Sequence, residues 1–240
     1  MTQRFTKALL DEASRPFKNG NRFAYRYARG KLSTDNIFSE ILKRGLFPNN
    51  ARYLDLGCGQ GCLFAWLLAA RKLYEAGNWP VNWPGAPKPR ALRGIELMQK
   101  DVDRAARAFG ADHPLVRIEQ GDMTEADFGK ADVITILDAL HYFDYPLQKD
   151  VLQRIRDALP PGGLFLTRVG DASAGLRFKL CNWLDHIVTF SRGHRLPRLY
   201  CRPLDEWVAM LENLDFIVET APMHKGKPFA NIMLVCHLPK

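Results

Sequence analysis

Four acids and one histidine stand where short apolar runs give way to turns. Asp55 lies two residues ahead of the glycine-rich stretch Gly57-Cys58-Gly59-Gln60-Gly61, and Glu96 closes the run Ala91-Leu92-Arg93-Gly94-Ile95. Asp122 follows Gly121 after Val116-Arg117-Ile118-Glu119-Gln120. Asp138 closes Ala131-Asp132-Val133-Ile134-Thr135-Ile136-Leu137, and His141 comes in the loop after it. A carboxylate is an acceptor with two oxygens, so Glu96 suits a ligand that presents two O–H donors at once. An imidazole titrates near neutrality and takes a proton from a weakly acidic nucleophile, which makes His141 a candidate general base.

The elements that hold these groups start from one stretch. Tyr53, Leu54 and Leu56 read as a buried strand, the three alternate glycines as a sharp turn, and Cys62 to Leu73 as an apolar helix. A dinucleotide site has Gly-x-Gly-x-x-Gly facing a pyrophosphate. Here the third glycine arrives one residue early, Cys62 takes the dinucleotide position, and Asp55 would oppose a pyrophosphate. A ligand with an ammonium group and no phosphate fits better. S-adenosylmethionine (SAM) has an ammonium, a sulfonium and no phosphate. Over this stretch and the downstream acids, about residues 51 to 170, the chain resembles the class I SAM-dependent methyltransferases, with the glycine stretch as their motif I.

The resemblance implies an α/β fold: a doubly wound, seven-stranded, mostly parallel sheet ending in a C-terminal antiparallel hairpin. It implies SAM as cofactor and S-adenosylhomocysteine as product. It places Asp55, Gly57, Cys58, Gly59 and Gly61 around the methionine moiety, Glu96 on the ribose hydroxyls, Leu97 on the adenine face, and Asp122 with Met123 in the adenine-binding turn. Lys31, with Arg29, is placed to reach the methionine carboxylate or an anionic substrate, and Asp138 to serve the cofactor's ammonium through its side chain or its carbonyl. His141 stays the candidate base, with His186 and His194 as weaker catalytic candidates.

Composition sets the frame. The 240 residues are 47% hydrophobic, ample for one domain with a full core. No apolar run reaches the roughly 18 residues of a membrane span, and the N-terminus lacks a signal-peptide core. Five scattered cysteines without Cys-x-x-Cys spacing read as free thiols of a cytoplasmic protein, with no metal site. A net charge of +8 favours anionic partners.

Within a single domain over residues 1–240, three segments elaborate the sheet. Residues 1–32 interleave aromatics and cations and resemble the cap that precedes the first strand in this family. Residues 74–90 are rich in proline and glycine and read as an insertion, with Trp79 and Trp83 packing back on the domain or meeting a partner. Residues 170–202 read as a substrate-side lid, with a helix over 174–190 followed by an arginine-rich stretch. Helix Gln99 to Phe109 is expected to turn Val102, Ala105, Ala106 and Phe109 inward.

Absent motifs narrow the acceptor. No Asn/Asp-Pro-Pro-Tyr follows the fourth strand, against amino methylation of adenine or glutamine; no Pro-Cys nucleophile appears, against 5-methylation of cytosine; and Val169-Gly170-Asp171-Ala172 lacks the Asp-Asn pair of metal-dependent catechol enzymes. The expected acceptor is a small molecule, anionic or tethered to an acidic carrier protein, methylated on oxygen or carbon. The motif set is also similar to that of bacterial enzymes associated with polyketide-like or aromatic-polyene pigment pathways. RNA is the alternative acceptor.

Overall fold

The computed structural model describes residues 3–172, 199–223 and 231–240. The chain divides into two compact units, Met1–Asp127 and Phe128–Lys240. The strand order is β3-β2-β1-β4-β5-β7-β6 in a seven-stranded sheet, the doubly wound pattern expected from the sequence.

In the first unit, helix α1 (Gln3–Ser14) and a 3-10 turn (Arg15–Asn19) precede helix α2 (Arg22–Thr34) and helix α3 (Asn36–Lys43). Helix α2 begins where the Asn21 side chain accepts from Ala24 N–H at 2.8 Å, and it buries Ala24, Ala28 and Leu32, one residue per turn. Asp35 caps α3 by accepting from Ile37 N–H at 3.2 Å. Strands β1 (Arg52–Leu56), β2 (Ala91–Glu96) and β3 (Val116–Gln120) run parallel, with Leu56 opposite Ile95 and Glu96 opposite Gln120. Helix α4 (Cys62–Glu75) joins β1 to the insertion.

The two insertion tryptophans pack back on their own unit. Trp79 and Trp83 each meet the Phe5 ring edge-on at 5.5 Å, and Trp79 Nε1 donates to the Pro84 carbonyl at 2.9 Å. Helix α5 (Gln99–Phe109) departs from the sequence reading: it buries Ala105 and Ala108, while Ala106 is exposed. Phe109 closes this face by meeting Phe17 at 6.0 Å.

In the second unit, strand β4 (Val133–Leu137) pairs parallel with β5 (Leu164–Gly170). Both are almost wholly buried, which explains their mainly apolar sequence, broken by Thr135 in β4 and by Thr167 and Arg168 in β5. Between them lie a 3-10 turn (Leu140–Tyr142) and helix α6 (Tyr145–Ala158), capped by Asp144. Helix α7 (Leu204–Glu212) leads to β6 (Ile217–Pro222) and β7 (Asn231–His237), and β7 pairs antiparallel with both β5 and β6. Most of the lid segment, including His186 and His194, and the tip of the last hairpin lie outside the described residues. Among the described residues, no helix is long and apolar enough to cross a membrane, and no group of three or more His, Cys, Asp or Glu could hold a metal ion.

Candidate active site

The glycine-rich loop of the first unit hangs on the end of β2. Gly57 and Cys58 N–H both donate to the Ile95 carbonyl, at 2.8 and 3.3 Å. Gly57, Gly59 and Gly61 have φ of 73°, 56° and 83°, the left-handed region in which a side chain is strained. The glycines differ in surroundings. A Cβ on Gly61 would sit 2.7 Å from Ile118 Cδ1 and 2.8 Å from Phe109 Cε2, whereas a Cβ on Gly59 would meet nothing within 4 Å. Gly61 therefore packs the loop on its own unit, and Gly59 leaves backbone facing open space.

Glu96 is 8% exposed and ties the loop to the next turn. Its Oε2 accepts from Gly59 N–H at 2.7 Å and its Oε1 from Met98 N–H at 2.9 Å. Each carboxylate oxygen has two lone pairs, so these bonds orient Glu96 and leave it able to accept from a pair of hydroxyls. Leu97 beside it is 57% exposed, an apolar side chain at the mouth of the loop. Asp55 is buried in β1. Burial, then the charges of Asp55 and Glu96, push the Cys58 thiol well above the usual range, so Cys58 stays protonated. Burial raises Cys62 to about 12, with Lys31 pulling in the opposite direction, so the ammonium of Lys31 is felt at the start of α4.

The other acids and cations are partly committed. Asp122 Oδ1 accepts from both the backbone N–H and the hydroxyl of Thr124, at 2.8 and 2.7 Å, which makes it the organiser of its turn. Met123 is buried next to it. Lys31 pairs with Asp35 at 2.9 Å, one turn along. Arg29 pairs with Asp11 at 2.7 Å and reaches Ser14 Oγ at 3.3 Å. Arg29 thus acts as a strut between α1 and α2. Sequence reasoning also missed Gln60. It is buried, its Nε2 donates to the Ala24 carbonyl of α2 at 2.8 Å, and its Oε1 has no partner among the described residues.

The second unit holds Asp138 and His141. The Asp138 carboxylate is gripped by the guanidinium of Arg168, which is 7% exposed, through Nε at 2.6 Å and through a second nitrogen. The sequence reading offered the Asp138 side chain or its carbonyl for the ammonium; the side chain is taken by Arg168. Asp138 has φ of 61°, a left-handed conformation that aspartate tolerates. His141 Nε2 is buried and unpartnered among the described residues. Burial pushes the imidazole below its ordinary range, Asp138 pulls it up and Arg168 pushes it down. The net lowering leaves a neutral imidazole at pH 7.

Gln148 was not singled out from the sequence, yet it is fully buried and fixes the His141 loop. Its Nε2 faces the carbonyls of Tyr200, Phe143 and Leu140 at 2.7, 3.0 and 3.2 Å, while Oε1 accepts from Arg202 Nε at 2.8 Å. Nothing in the sequence around α6 marks it, because two of these partners come more than fifty residues later. Arg202, read with its neighbours as part of a basic substrate-side segment, is instead taken into this network and stacks on Tyr145 at 4.2 Å.

Comparison with known proteins agrees with this architecture. Residues 54–165 match the family model described as a methyltransferase domain. A carboxy-S-adenosyl-L-methionine synthase from Pseudoalteromonas atlantica is 29% identical over 119 residues, covering 49% of this chain. The chain spans about half the length of the curated relatives it matches, 44% in this case. An O-methyltransferase family protein from Burkholderia thailandensis superposes with a TM-score of 0.61 at 18% identity, over 93% of this chain and 62% of that one. Magnesium protoporphyrin IX methyltransferase from Synechocystis, solved with bound S-adenosylhomocysteine, gives 0.58 at 15% identity, over 91% and 88%. Residues 54–165 thus match a methyltransferase-domain model, and the fold is the Rossmann-like α/β fold of the solved methyltransferases on which the chain superposes.

Proposed function

We propose that this protein binds SAM and transfers its methyl group to oxygen or carbon of a small acceptor, anionic or tethered to an acidic carrier protein, with residues 1–240 acting as one methyltransferase domain. The observation that carries the reading is the loop from Gly57 to Gly61, whose left-handed glycines leave exposed backbone at Gly59 while Glu96 grips that residue's N–H.

The residues present fit SAM. Glu96, already oriented by two backbone donors, accepts from the ribose hydroxyls. Leu97 and Met123 supply apolar surface for the adenine, and Asp122 accepts from its amino group. Asp55 balances the ammonium. Lys31, felt at the start of α4, balances the methionine carboxylate. Gly57, Cys58, Gly59 and Gly61 present backbone without a projecting charge, the Cys58 thiol being protonated.

Bound SAM supplies an electrophilic methyl on its sulfonium. The chain's own work is to align the nucleophile and remove its proton. His141 takes that proton: its imidazole is neutral, and Nε2 is uncommitted among the described residues. A phenol of pKa about 10 needs such a base, whereas a carboxylate does not. The test is methyl transfer from radiolabelled SAM to phenolic and carboxylic acids, free and as acyl-carrier thioesters, with RNA in parallel. Labelling of RNA alone would overturn the small-acceptor reading.

A further inference from the structure

We propose that Gln148 is the positioning residue that sets His141, by clamping the backbone on both sides of it. The claim rests on the reading of His141 as the base only for its catalytic meaning; the clamp itself is tested without turnover.

The loop after β4 is short, and its own backbone bonds are those of one 3-10 turn, Tyr142 N–H to Ala139 and Phe143 N–H to Leu140, both at 3.2 Å. It is tied to α6 by the carbonyls of Leu140 and Phe143, which bracket His141 and both accept from Gln148 Nε2. The third carbonyl at that nitrogen belongs to Tyr200, whose own N–H donates to the His141 carbonyl at 2.8 Å. One amide thus joins the loop to the segment that Tyr200 begins, and that segment closes the circuit on the backbone of His141 itself.

The orientation of the amide is forced. Two N–H hydrogens serve three carbonyls, with the longest contact, to Leu140 at 3.2 Å, sharing a hydrogen. The oxygen faces Arg202 Nε at 2.8 Å. Flipping the amide would set oxygen against three carbonyls and N–H against a guanidinium. Arg202 is held in turn by stacking on Tyr145 at 4.2 Å and by pairing with Glu206 at 3.3 Å. Ala172 N–H donates to the Arg202 carbonyl at 3.1 Å, and Asp171 Oδ1 accepts from Leu204 N–H at 3.2 Å. Asp171 and Ala172 are thereby tied to the stretch around Arg202. A polar side chain fully buried among apolar neighbours is costly unless every group is used, and here every group is used.

The same clamp holds the His141 ring where Asp138 and Arg168 act on it and where its Nε2 is buried. Releasing it hydrates the ring and lets it protonate more easily.

The test is the His141 titration by nuclear magnetic resonance, its signal assigned by loss in His141→Ala. Gln148→Met is neutral and of similar length, so it removes the clamp without adding charge. Its midpoint is expected to move up, toward the ordinary histidine value. SAM affinity by calorimetry stays within about twofold, because no cofactor residue is touched. An unchanged midpoint in folded Gln148→Met would overturn the proposal. Side-chain amide exchange of Gln148 in the unaltered protein gives a second reading that needs no variant. Slow exchange is expected, and exchange as fast as that of a free glutamine amide would overturn the proposal equally. Full methyl-transfer activity in His141→Ala would remove the base reading and leave these two measurements to decide the clamp alone.

Discussion

Glu96 holds the glycine-rich loop from 37 residues downstream: its Oε2 accepts the Gly59 N–H at 2.7 Å. The acid that is proposed to read the ribose is also the acid that shapes the loop beside it. A ligand contact at Glu96 is therefore preorganised by the fold and costs little ordering when the ligand arrives.

Glu96→Ala is expected to weaken SAM binding by roughly 1.5–3 kcal/mol through lost charge-assisted hydrogen bonds. Calorimetric titration measures this directly. Unchanged affinity would remove the ribose assignment.

Gly59 and Gly61 separate binding from stability. Gly61→Ala combines a left-handed backbone with a clash against Ile118 and Phe109, and is expected to destabilise the fold by about 2–4 kcal/mol in urea unfolding. Gly59→Ala meets no atom of the protein and is expected to cost only about 1–2 kcal/mol of stability, yet to lose SAM affinity at least about tenfold. The reverse pattern would mean that the open side of Gly59 is not the ligand side.

The lowered titration of His141 has a definite sign. In the folded state burial favours the neutral ring, so between the folded and unfolded midpoints the unfolded chain binds more protons. Stability contributed by the neutral ring is present above the unfolded value of about 6.5 and is lost as pH falls from there through the folded midpoint. His113, lowered by partial burial, adds to the same trend. Thermal unfolding from pH 8 down to pH 5.5 should show a smaller loss in His141→Gln than in the unaltered protein. Turnover should hold on the acid side to below pH 6.5 and be about 100-fold lower in His141→Ala. An acid limb centred above pH 7, or a fully active His141→Ala, would contradict the base assignment.

Asp138→Asn keeps a residue that tolerates the left-handed backbone and removes the charge opposite Arg168. The guanidinium is buried while the Asp138 side chain is 33% exposed, so a destabilisation of about 1–3 kcal/mol is expected rather than the full cost of an orphaned buried charge. Equilibrium unfolding checks it, and a neutral outcome would mean that Arg168 finds another acceptor.

Much of this was legible in the sequence where the pattern is local. The run through Tyr53 to Leu56, the alternate glycines and the apolar helix after them mark β1, the loop and α4 without further help. Helix α2 was not legible as a helix, because its buried face is made of Ala24, Ala28 and Leu32, while Phe23 and Tyr25 stand outside the core. Its best signal was Asn21, which caps it. Helix α5 was found but rotated, since Ala106 and Ala108 are identical in chemistry and only the packing separates them. Asp138 was singled out for its place at the end of β4, but its partner Arg168 sits on β5, and pairings between strands are not written in either strand alone. Gln148 was invisible for the same reason, with Tyr200 and Arg202 far along the chain.

Parallel calorimetric titration of the purified protein with SAM, S-adenosylhomocysteine and NADH tests the central claim most directly. Saturable binding of both sulfur compounds with none of NADH is the predicted result. Binding of NADH alone, or of none of the three with or without candidate acceptors present, would contradict it.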